Sequence, residues 1–353
     1  MINMAKNSTM QPPHLWIKEI QEDEKVSGCY LVKEKKVLKT RNGKPFLNLI
    51  LADRTGEIPA KVWDRAEALS SLFQKGDIIQ IVAHAGSYRD QIQITVSELD
   101  LLKEKPDPEI FLESTPEDPS EMMRSLRQIL RGVEDVNLKG LVDSFLGDRK
   151  FMARFKKMPA AKNFHHSYLG GLLEHTLSVC QMAIQVAAHY PQLNRDLLIT
   201  SAFLHDIGKI RELGYDLQID YTDEGRLVGH VVLSMTMVEE KLIGLKDFPG
   251  ALAIRLKHLI LSHHGQYDFG SPKEPKFLEA FALNLIDDLD AKINGLGRFM
   301  ERDRHEGAWT EFNRMFGKYF LKGKMQPTRK APEESIKTDS KQRTLFSSDA
   351  STP

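Results

Sequence analysis

"SAFLHDIGKI", residues 201–210, places a histidine and an aspartate side by side at the end of an apolar run, with a glycine and a lysine close behind. An ionised carboxylate that is buried without a partner costs several kcal/mol or more, so another part of the chain should supply a partner for Asp206. The surrounding sequence therefore has to be searched for groups that could share this site.

Neighbouring segments carry side chains of the same kind. Apolar periodicity predicts helices over residues 172–190, 195–209, 228–243, 251–264 and 276–302. Their metal-type side chains are His175, His205, Asp206, His230, His263, His264, Asp287, Asp288 and Asp290. A single histidine on an apolar face is usually a core residue, and an aspartate in a helix is usually a cap. The ordered set across successive helices, however, is typical of inward-facing ligands in a helical bundle.

The chemistry of these side chains restricts the cation. Imidazole together with carboxylate suits Mn, Fe, Co, Ni or Zn better than Ca or Mg. A carboxylate that bridges two cations would also account for the burial of Asp206. The pattern therefore predicts a divalent metal site on the helices.

The preceding region, from about residue 28 to residue 102, has a β pattern. "RNGKP" contains Asn-Gly, a strong hairpin signal, and further turns are predicted at residues 53–56 and 88–90. Five short strands over about 75 residues suggest a small closed barrel of the OB type, whose usual ligand is single-stranded nucleic acid.

These patterns divide the chain into five parts. We expect a disordered N-terminus (1–13), an OB-fold nucleic-acid-binding domain (14–105), a Pro-rich acidic linker (106–120), a helical domain (121–321) and a disordered tail (322–353). The fold class is thus α+β and multidomain, with a β-barrel followed by an all-α domain.

Composition sets limits on function. The 353 residues are 41% apolar and 28% charged, and the formal net charge of zero excludes a globally basic nucleic-acid binder while leaving room for a local basic face. The two cysteines lie far apart, no secretory signal is recognised at the N-terminus, and no apolar run approaches the roughly 20 residues of a membrane span. We therefore expect a cytoplasmic protein.

The order His175, His205-Asp206, Asp287 resembles the His…His-Asp…Asp signature of the HD phosphohydrolase superfamily. The intervening His230 and His263-His264 resemble its dinuclear branch. This resemblance implies one cation held by His175, His205, Asp206 and Asp287, and a second held by Asp206, His230, His263 and His264. Asp287 is preferred to Asp288 because Asp287 begins the D-x-x-D-A pattern of the family.

A β-barrel before an HD domain is similar to the YhaM-type 3′-5′ exoribonucleases. "NGKPFLNLILADRTGEIPAKVWD", "FLESTPEDPSEMM", "FHHSYLGGLLEHT" and "IDDLDAK" carry this similarity. "HHGQYDFGSP" departs from the His-His-Glu…Gly-Tyr-Pro pattern of cyclic-dinucleotide phosphodiesterases, which argues against that assignment.

The resemblance implies a metal-dependent 3′-5′ exonuclease on single-stranded RNA, with single-stranded DNA left open. Metal hydroxide would attack phosphorus and release 5′-mononucleotides, with two ions expected and Mn²⁺ favoured over Fe, Co, Ni or Zn. Asp206 and Lys209 would act in catalysis, Lys209 beside the scissile phosphate or else as an ordinary cation at a helix C-terminus. His165 and His166 would contact substrate or cap the entry to their helix. An HD-type nucleotide or cyclic-nucleotide phosphohydrolase and a non-catalytic nucleic-acid-binding replication accessory protein remain as alternatives.

The barrel would hold the strand by aromatic stacking and a basic groove. The aromatic candidates are Phe46, Trp63 and Tyr88, and Lys44 belongs to a run of basic residues on the first hairpin. In the tail, Gln342, Leu345 and Phe346 form a Gln-x-x-Leu-Phe pattern that resembles the motif by which bacterial proteins bind the DNA polymerase sliding clamp. A homo-oligomer is a further expectation, and no membrane contact is expected.

Overall fold

The computed structural model describes residues 14–88, 91–102, 107–303, 305 and 307–323. The strands are β1 Lys25–Lys39, β2 Pro45–Asp53, β3 Gly56–Val62, β4 Ile78–Tyr88, β5 Gln91–Leu101, β6 Leu213–Tyr215 and β7 Ile219–Tyr221. The helices are α1 Ala66–Ser70, α2 Pro119–Arg131, α3 Val136–Leu146, α4 Arg149–Phe155, α5 Gly171–His189, α6 Arg195–Leu204, α7 Lys209–Glu212, α8 Asp223–Val228, α9 His230–Ile243, α10 Gly250–Ser262 and α11 Leu278–Arg302. The expected disordered N-terminus and the tail motif lie outside the described residues.

The first five strands close into a barrel in the order β1-β2-β3-β5-β4. Every neighbouring pair is antiparallel except β3 with β5, which is parallel. Leu47, Leu49 and Leu51 alternate along β2 and are fully buried, as the period of two in a strand requires. The Asn-Gly turn between β1 and β2 is present, with Gly43 at φ +77. The small-barrel prediction is thus confirmed, and of the predicted turn at residues 88–90 only Tyr88 lies in the described part.

The segment expected to be a linker, residues 106–120, contacts both domains. A 3-10 turn spans Pro108–Ile110, and Phe111 and Leu112 are buried. The backbone N–H of Arg54 in the barrel donates to the carbonyl of Ile110 over 2.8 Å. The described part of this segment is therefore held by apolar contacts, which the periodicity of the sequence did not predict.

Aspartate caps begin the first helices of the all-α domain. Asp118, Asp135 and Asp148 each accept a backbone N–H at the start of α2, α3 and α4. Such a cap contributes about 1 kcal/mol. Pro119 occupies the first turn of α2, where its missing N–H costs nothing. Helix α2 consequently begins two residues before the predicted domain start at residue 121.

Helix α6 lies at the centre of the helical core. Every residue from Leu197 to Leu204 is buried, so α6 is surrounded by protein on all sides. Full burial of each leucine, isoleucine or phenylalanine contributes about 1.5–3 kcal/mol. The His-Asp pair that follows α6 is therefore held at a rigid position inside the domain.

Two predicted helices differ from the structure in extent. The predicted helix 195–209 is wrong in extent, because α6 ends at Leu204 and the segment through Gly208 forms turns. The predicted helix 228–243 begins two residues later, at His230, because Gly229 at φ +77 separates α9 from α8. The hairpin β6–β7 lies between α7 and α8, and the sequence patterns did not indicate it.

The helical prediction also extends too far toward residue 321. Described residues after Arg302 form no helix; they contain the isolated bridges Trp309↔Leu321 and Asn313↔Lys318. The chain divides into a unit Met1–Leu296 and a smaller unit Gly297–Pro353. No helix in the described ranges is both long enough and apolar enough to span a membrane.

Candidate metal centre

Seven predicted ligands meet inside the helical domain. His205 and Asp206 follow the end of α6, His230 is the first residue of α9, and His263 and His264 follow the end of α10. His175 and Asp287 lie within α5 and α11. Helix ends and one face of two long helices therefore point at a common interior volume.

The first cluster consists of His175, His205, Asp206 and Asp287, whose ligand atoms lie within 4.8 Å of one another. His175 Nε2 is 3.4 Å from Asp206 Oδ2 and 3.2 Å from Asp287 Oδ1. His205 Nε2 is 3.4 Å and 3.5 Å from the same two oxygens. Two imidazole nitrogens and two carboxylate oxygens thus face one point, a donor set suited to a divalent transition metal.

The second cluster consists of His230, His263 and His264. His230 Nε2 lies 3.3 Å from His264 Nε2. Asp206 Oδ1 lies 3.4 Å from His230 Nε2 and 3.6 Å from His263 Nε2. One oxygen of Asp206 therefore faces the first cluster, and the other oxygen faces the second cluster.

All five histidines of the two clusters are oriented in the same way. Their Nδ1 atoms face acceptors on the outside of the clusters: Asp290 for His175, the Ala202 carbonyl for His205, Glu212 for His230, the Ile260 carbonyl for His263 and the Phe269 carbonyl for His264. A proton on Nδ1 leaves the lone pair on Nε2, which points inward. This is the tautomer that a metal-binding imidazole needs.

Unpaired buried atoms support the same conclusion. Within the described residues, Asp206 Oδ1 and His263 Nε2 are buried without a hydrogen-bond partner. In the first cluster, His175 Nε2 and His205 Nε2 face each other at 3.2 Å, which would bring two lone pairs together if both protons are on Nδ1. A cation between these atoms removes both conflicts, so the residues present fit divalent metal binding.

The electrostatics of the site favour positive charge. Burial alone would raise the pKa of Asp206, but the Lys209 ammonium and the neighbouring imidazoles hold it well below its usual range. Burial would lower the pKa of His205, yet Asp206 and Asp287 raise it to about 9, so a bound cation would have to displace the proton from Nε2. Burial lowers the pKa of His264 to about 3 and keeps its imidazole neutral, as a ligand must be.

Gly208 of the "HDIGK" stretch brings the two clusters together. Its N–H donates to Ser234 Oγ over 2.8 Å, and a Cβ at this position would lie 2.2 Å from the carbonyl oxygen of His230. Only glycine permits this approach of the chain after Asp206 to the start of α9. The spacing between Asp206 and His230 thus depends on a residue without a side chain.

Comparisons with known proteins agree with this geometry. The HD domain family matches residues 172–292, an OB-fold nucleic acid binding domain family matches residues 31–102, and the TraI_2 family matches residues 118–192. The 3′-5′ exoribonuclease YhaM of Bacillus subtilis (strain 168) is 36% identical over 290 residues, which cover 82% of this chain and 91% of the relative. YhaM of Oceanobacillus iheyensis is 37% identical over 294 residues, with coverage of 82% and 90%.

The chain belongs to the YhaM family.

The YhaM-family site also contains two supporting carboxylates: Asp290, one of the aspartates expected among the metal-type side chains, and Glu212, which no sequence pattern indicated. Asp290 accepts from His175 Nδ1 at 2.7 Å and from Ser178 Oγ, and its Oδ2 lies 3.0 Å from His166 Nε2. Glu212 contacts His230 Nδ1 at 2.9 Å. The second aspartate of the D-x-x-D pattern was a usable signal for Asp290, whereas Glu212 carries no recognisable spacing.

Asp287 and Asp288 have different surroundings. Asp287 joins the first cluster, while Asp288 accepts from Lys292 Nζ over 2.6 Å on the outside of α11. Successive residues of a helix are rotated by about 100°, so only one of the pair can face the cluster. The aspartate that lies in the first cluster, Asp287, is the one that the family pattern favours.

Three further predicted site residues lie near the first cluster of this YhaM-family chain. Lys209 Nζ is 2.5 Å from Asp206 Oδ2 and is buried in the single turn of α7. The His165 ring centroid lies 5.2 Å from that of His175, and its buried Nδ1 has no hydrogen-bond partner among the described residues. His166 is only 3% exposed and contacts Tyr168 and Asp290 through its two ring nitrogens, which places it behind His175.

The predicted aromatic residues of the barrel lie together on one face. Phe46 and Trp63 are stacked with ring centroids 4.8 Å apart. Lys61 Nζ lies 5.5 Å from the Trp63 ring centroid and 5.1 Å from that of Tyr88, and it connects the two exposed rings. We call Phe46, Lys61, Trp63 and Tyr88 the aromatic face. Lys61 was not among the predicted residues. The predicted Lys44 forms an ion pair of 2.9 Å with Asp64, the residue that follows Trp63.

Proposed function

We propose that this chain is a divalent-metal-dependent exonuclease that shortens single-stranded RNA from the 3′ end and releases 5′-mononucleotides. The named activity of the YhaM relatives supports the reaction, and this chain covers about nine-tenths of their length. The observation that carries the proposal is the position of Asp206, whose two oxygens face two separate groups of imidazoles.

The proposed ligand sets follow from the two clusters. One cation would be held by His175, His205, Asp206 and Asp287, and the other by Asp206, His230, His263 and His264. Mn²⁺ is the first choice because the set mixes neutral imidazole with carboxylate, with Fe, Co, Ni and Zn as alternatives. Cations bound there would lower the pKa of water and neutralise charge on the phosphate oxygens.

The protein's own groups would orient the phosphodiester. Asp206 is positioned by Lys209, whose ammonium is buried beside it and would offset charge on a phosphate held at the clusters. His165 is half-buried, and burial and the Lys209 charge hold its pKa well below the usual range. A neutral His165 with an unpaired Nδ1 would form a hydrogen bond to the substrate. His166, by contrast, would position His175 through Asp290.

The aromatic face would supply affinity for the strand. Each base stacked on an aromatic side chain contributes about 1–3 kcal/mol, and every base offers a π-face. Lys61, placed between Trp63 and Tyr88, would contact the backbone phosphates. Holding the strand on the barrel and hydrolysing it on the helices are thus assigned to different domains.

A labelled-substrate assay tests the proposal. Single-stranded RNA labelled at its 5′ end is incubated with the purified protein and Mn²⁺, and free nucleotides are tested in parallel. We expect a ladder that shortens by single nucleotides and disappears with chelator or in the Asp206→Ala variant. Hydrolysis of free nucleotides without any ladder would instead favour the alternative nucleotide phosphohydrolase.

Partners and location complete the proposal. Gln342, Leu345 and Phe346 would bind the sliding clamp, which a peptide of residues 338–350 and its Leu345→Ala, Phe346→Ala variant can test by titration. Exposed Leu285, Leu289 and Ile293 recur every four residues on α11, which supports a homo-oligomer. Cys29 and Cys180 are both buried and unpaired, as suits a reducing cytoplasm.

A further inference from the structure

A cavity of about 480 Å³ opens beside His264 at the edge of the second cluster. One wall is the loop that follows α10, and the other wall is one face of α11. Its lining includes His264, Phe269, Lys276, Phe281, Asn284 and Lys292. The volume is in the range of about 300–1,000 Å³ that is typical of small-molecule sites.

The loop wall is attached to the metal centre. His264 Nδ1 lies 3.1 Å from the carbonyl oxygen of Phe269, and the N–H of Gln266 donates to the carbonyl of His264 over 3.0 Å. The Nε2 of the same His264 faces the second cluster. A single imidazole therefore fixes the position of Phe269 relative to the proposed cation.

The helix wall is attached as well. Asn284 Nδ2 donates to the carbonyl of His263 over 2.7 Å. Gly265 has φ +80, and a Cβ there would lie 2.6–2.8 Å from the Asn284 side chain. Both the positive φ and the close approach of the Asn284 side chain therefore favour glycine at position 265.

The lining has the chemistry of a nucleotide site. Phe269 is 66% exposed and Phe281 is 54% exposed, so two aromatic rings are available without unfolding. Lys276 and Lys292 form ion pairs with Glu274 and Asp288 that are largely exposed to solvent. Such pairs contribute little to stability, so these ammonium groups can turn toward a bound nucleotide.

We propose that this cavity holds the base and ribose of the 3′-terminal nucleotide while the scissile phosphate lies at the two clusters. This inference rests on the proposed exonuclease function and adds to it the residues that bind the departing nucleotide. A base stacks on Phe269 or Phe281, and Lys276 or Lys292 donates to the ribose hydroxyls. The aromatic face of the barrel then serves the upstream strand, and the cavity serves the terminal residue.

Product inhibition of RNA shortening tests this assignment. The inhibitors are AMP and ribose 5-phosphate, which share ribose and phosphate and differ in the base. In the parent protein we expect AMP to inhibit at a concentration about tenfold or more below that of ribose 5-phosphate, because stacking adds to its affinity. In the Phe269→Ala, Phe281→Ala double variant, this ratio should fall to about one.

Two controls accompany the measurement. Leu278 lies on the same helix, is 54% exposed and does not line the cavity, so the Leu278→Ala variant should have the inhibition ratio of the parent. Phe281→Leu preserves apolar volume and should give an intermediate ratio. It also provides a readout if the double variant folds poorly.

The outcomes separate this inference from the function on which it rests. A parent that shortens RNA but is inhibited equally by AMP and ribose 5-phosphate overturns the cavity assignment alone. An unchanged inhibition ratio in the folded double variant does the same. A parent that does not shorten RNA with Mn²⁺ removes the proposed function and the cavity assignment together.

Discussion

Glu212 contacts His230 at two points: its Oε1 accepts the backbone N–H of His230 over 3.0 Å and lies 2.9 Å from Nδ1 of the same residue. His230 is the first residue of α9, where the backbone N–H has no partner within the helix. Burial alone would raise the pKa of Glu212, but its hydrogen bonds to His230 lower it, so the carboxylate is ionised at neutral pH. One carboxylate therefore fixes both the start of the helix and the orientation of a proposed ligand.

Replacing Glu212 by glutamine should weaken metal binding without unfolding the protein. The amide can still accept one hydrogen bond, but the negative charge beside the His230 ring is lost. We expect Mn²⁺ affinity to fall by about 10–100-fold, the usual effect of removing such a partner. Isothermal titration with Mn²⁺ measures it. Glu240→Gln, at a side chain that is 62% exposed, is the matched control and should leave the affinity unchanged.

Two substitutions should differ in the number of ions retained. Asp206→Ala removes the group that faces both clusters, so we expect loss of hydrolysis and loss of all bound metal. His263→Ala removes a group that faces only the second cluster and should retain the ion of the first. Metal analysis by mass spectrometry gives the stoichiometry, and circular dichroism checks the fold. Near-normal turnover of Asp206→Ala with unchanged metal content would falsify the metal assignment.

Gly208→Ala should destabilise the helical domain. The new Cβ would lie 2.2 Å from the His230 carbonyl oxygen and 2.5 Å from the Ser234 nitrogen, both of them backbone atoms that cannot rotate away. Overpacking of this kind costs about 1–3 kcal/mol. Thermal unfolding of the variant is compared with that of Gly250→Ala, where nothing lies within 4 Å of the added Cβ. Equal melting temperatures for the two variants would contradict the close approach.

Loss of the aromatic face should reduce strand binding and spare the chemistry. Trp63→Ala removes an exposed ring and its stacking on Phe46, which should weaken binding of a long single strand by about 1–3 kcal/mol. Lys61→Ala should lower the salt dependence of binding, because a protein with one phosphate contact fewer releases fewer counterions from the strand. Fluorescence anisotropy at several salt concentrations measures both. Val37→Ala, at an exposed apolar residue of β1, is the control, and equal affinity in all three variants would exclude the face.

The sequence by itself determined the nature of the two domains and the identity of the proposed ligands. Period-two apolar patterns and an Asn-Gly turn predicted the barrel, since strand alternation and hairpin geometry are local properties. His175, His205, Asp206, His230, His263, His264 and Asp287 were recognised because imidazole and carboxylate on apolar helices are costly unless they have a partner. Residue type carries that information without any knowledge of distance.

Only the tertiary structure decided how these residues meet. The two oxygens of Asp206 face two different clusters, and Glu212 and Asp290 each contact a histidine of another segment. Lys61 likewise lies between the rings of Trp63 and Tyr88. Each of these contacts joins segments that are distant in the chain. The end of α6 at Leu204 also depends on this packing, because Gly208 in the following turn donates to Ser234 of α9 and lies close to the His230 carbonyl. Helix propensity and periodicity describe one segment at a time, whereas the geometry of a metal centre depends on several segments at once.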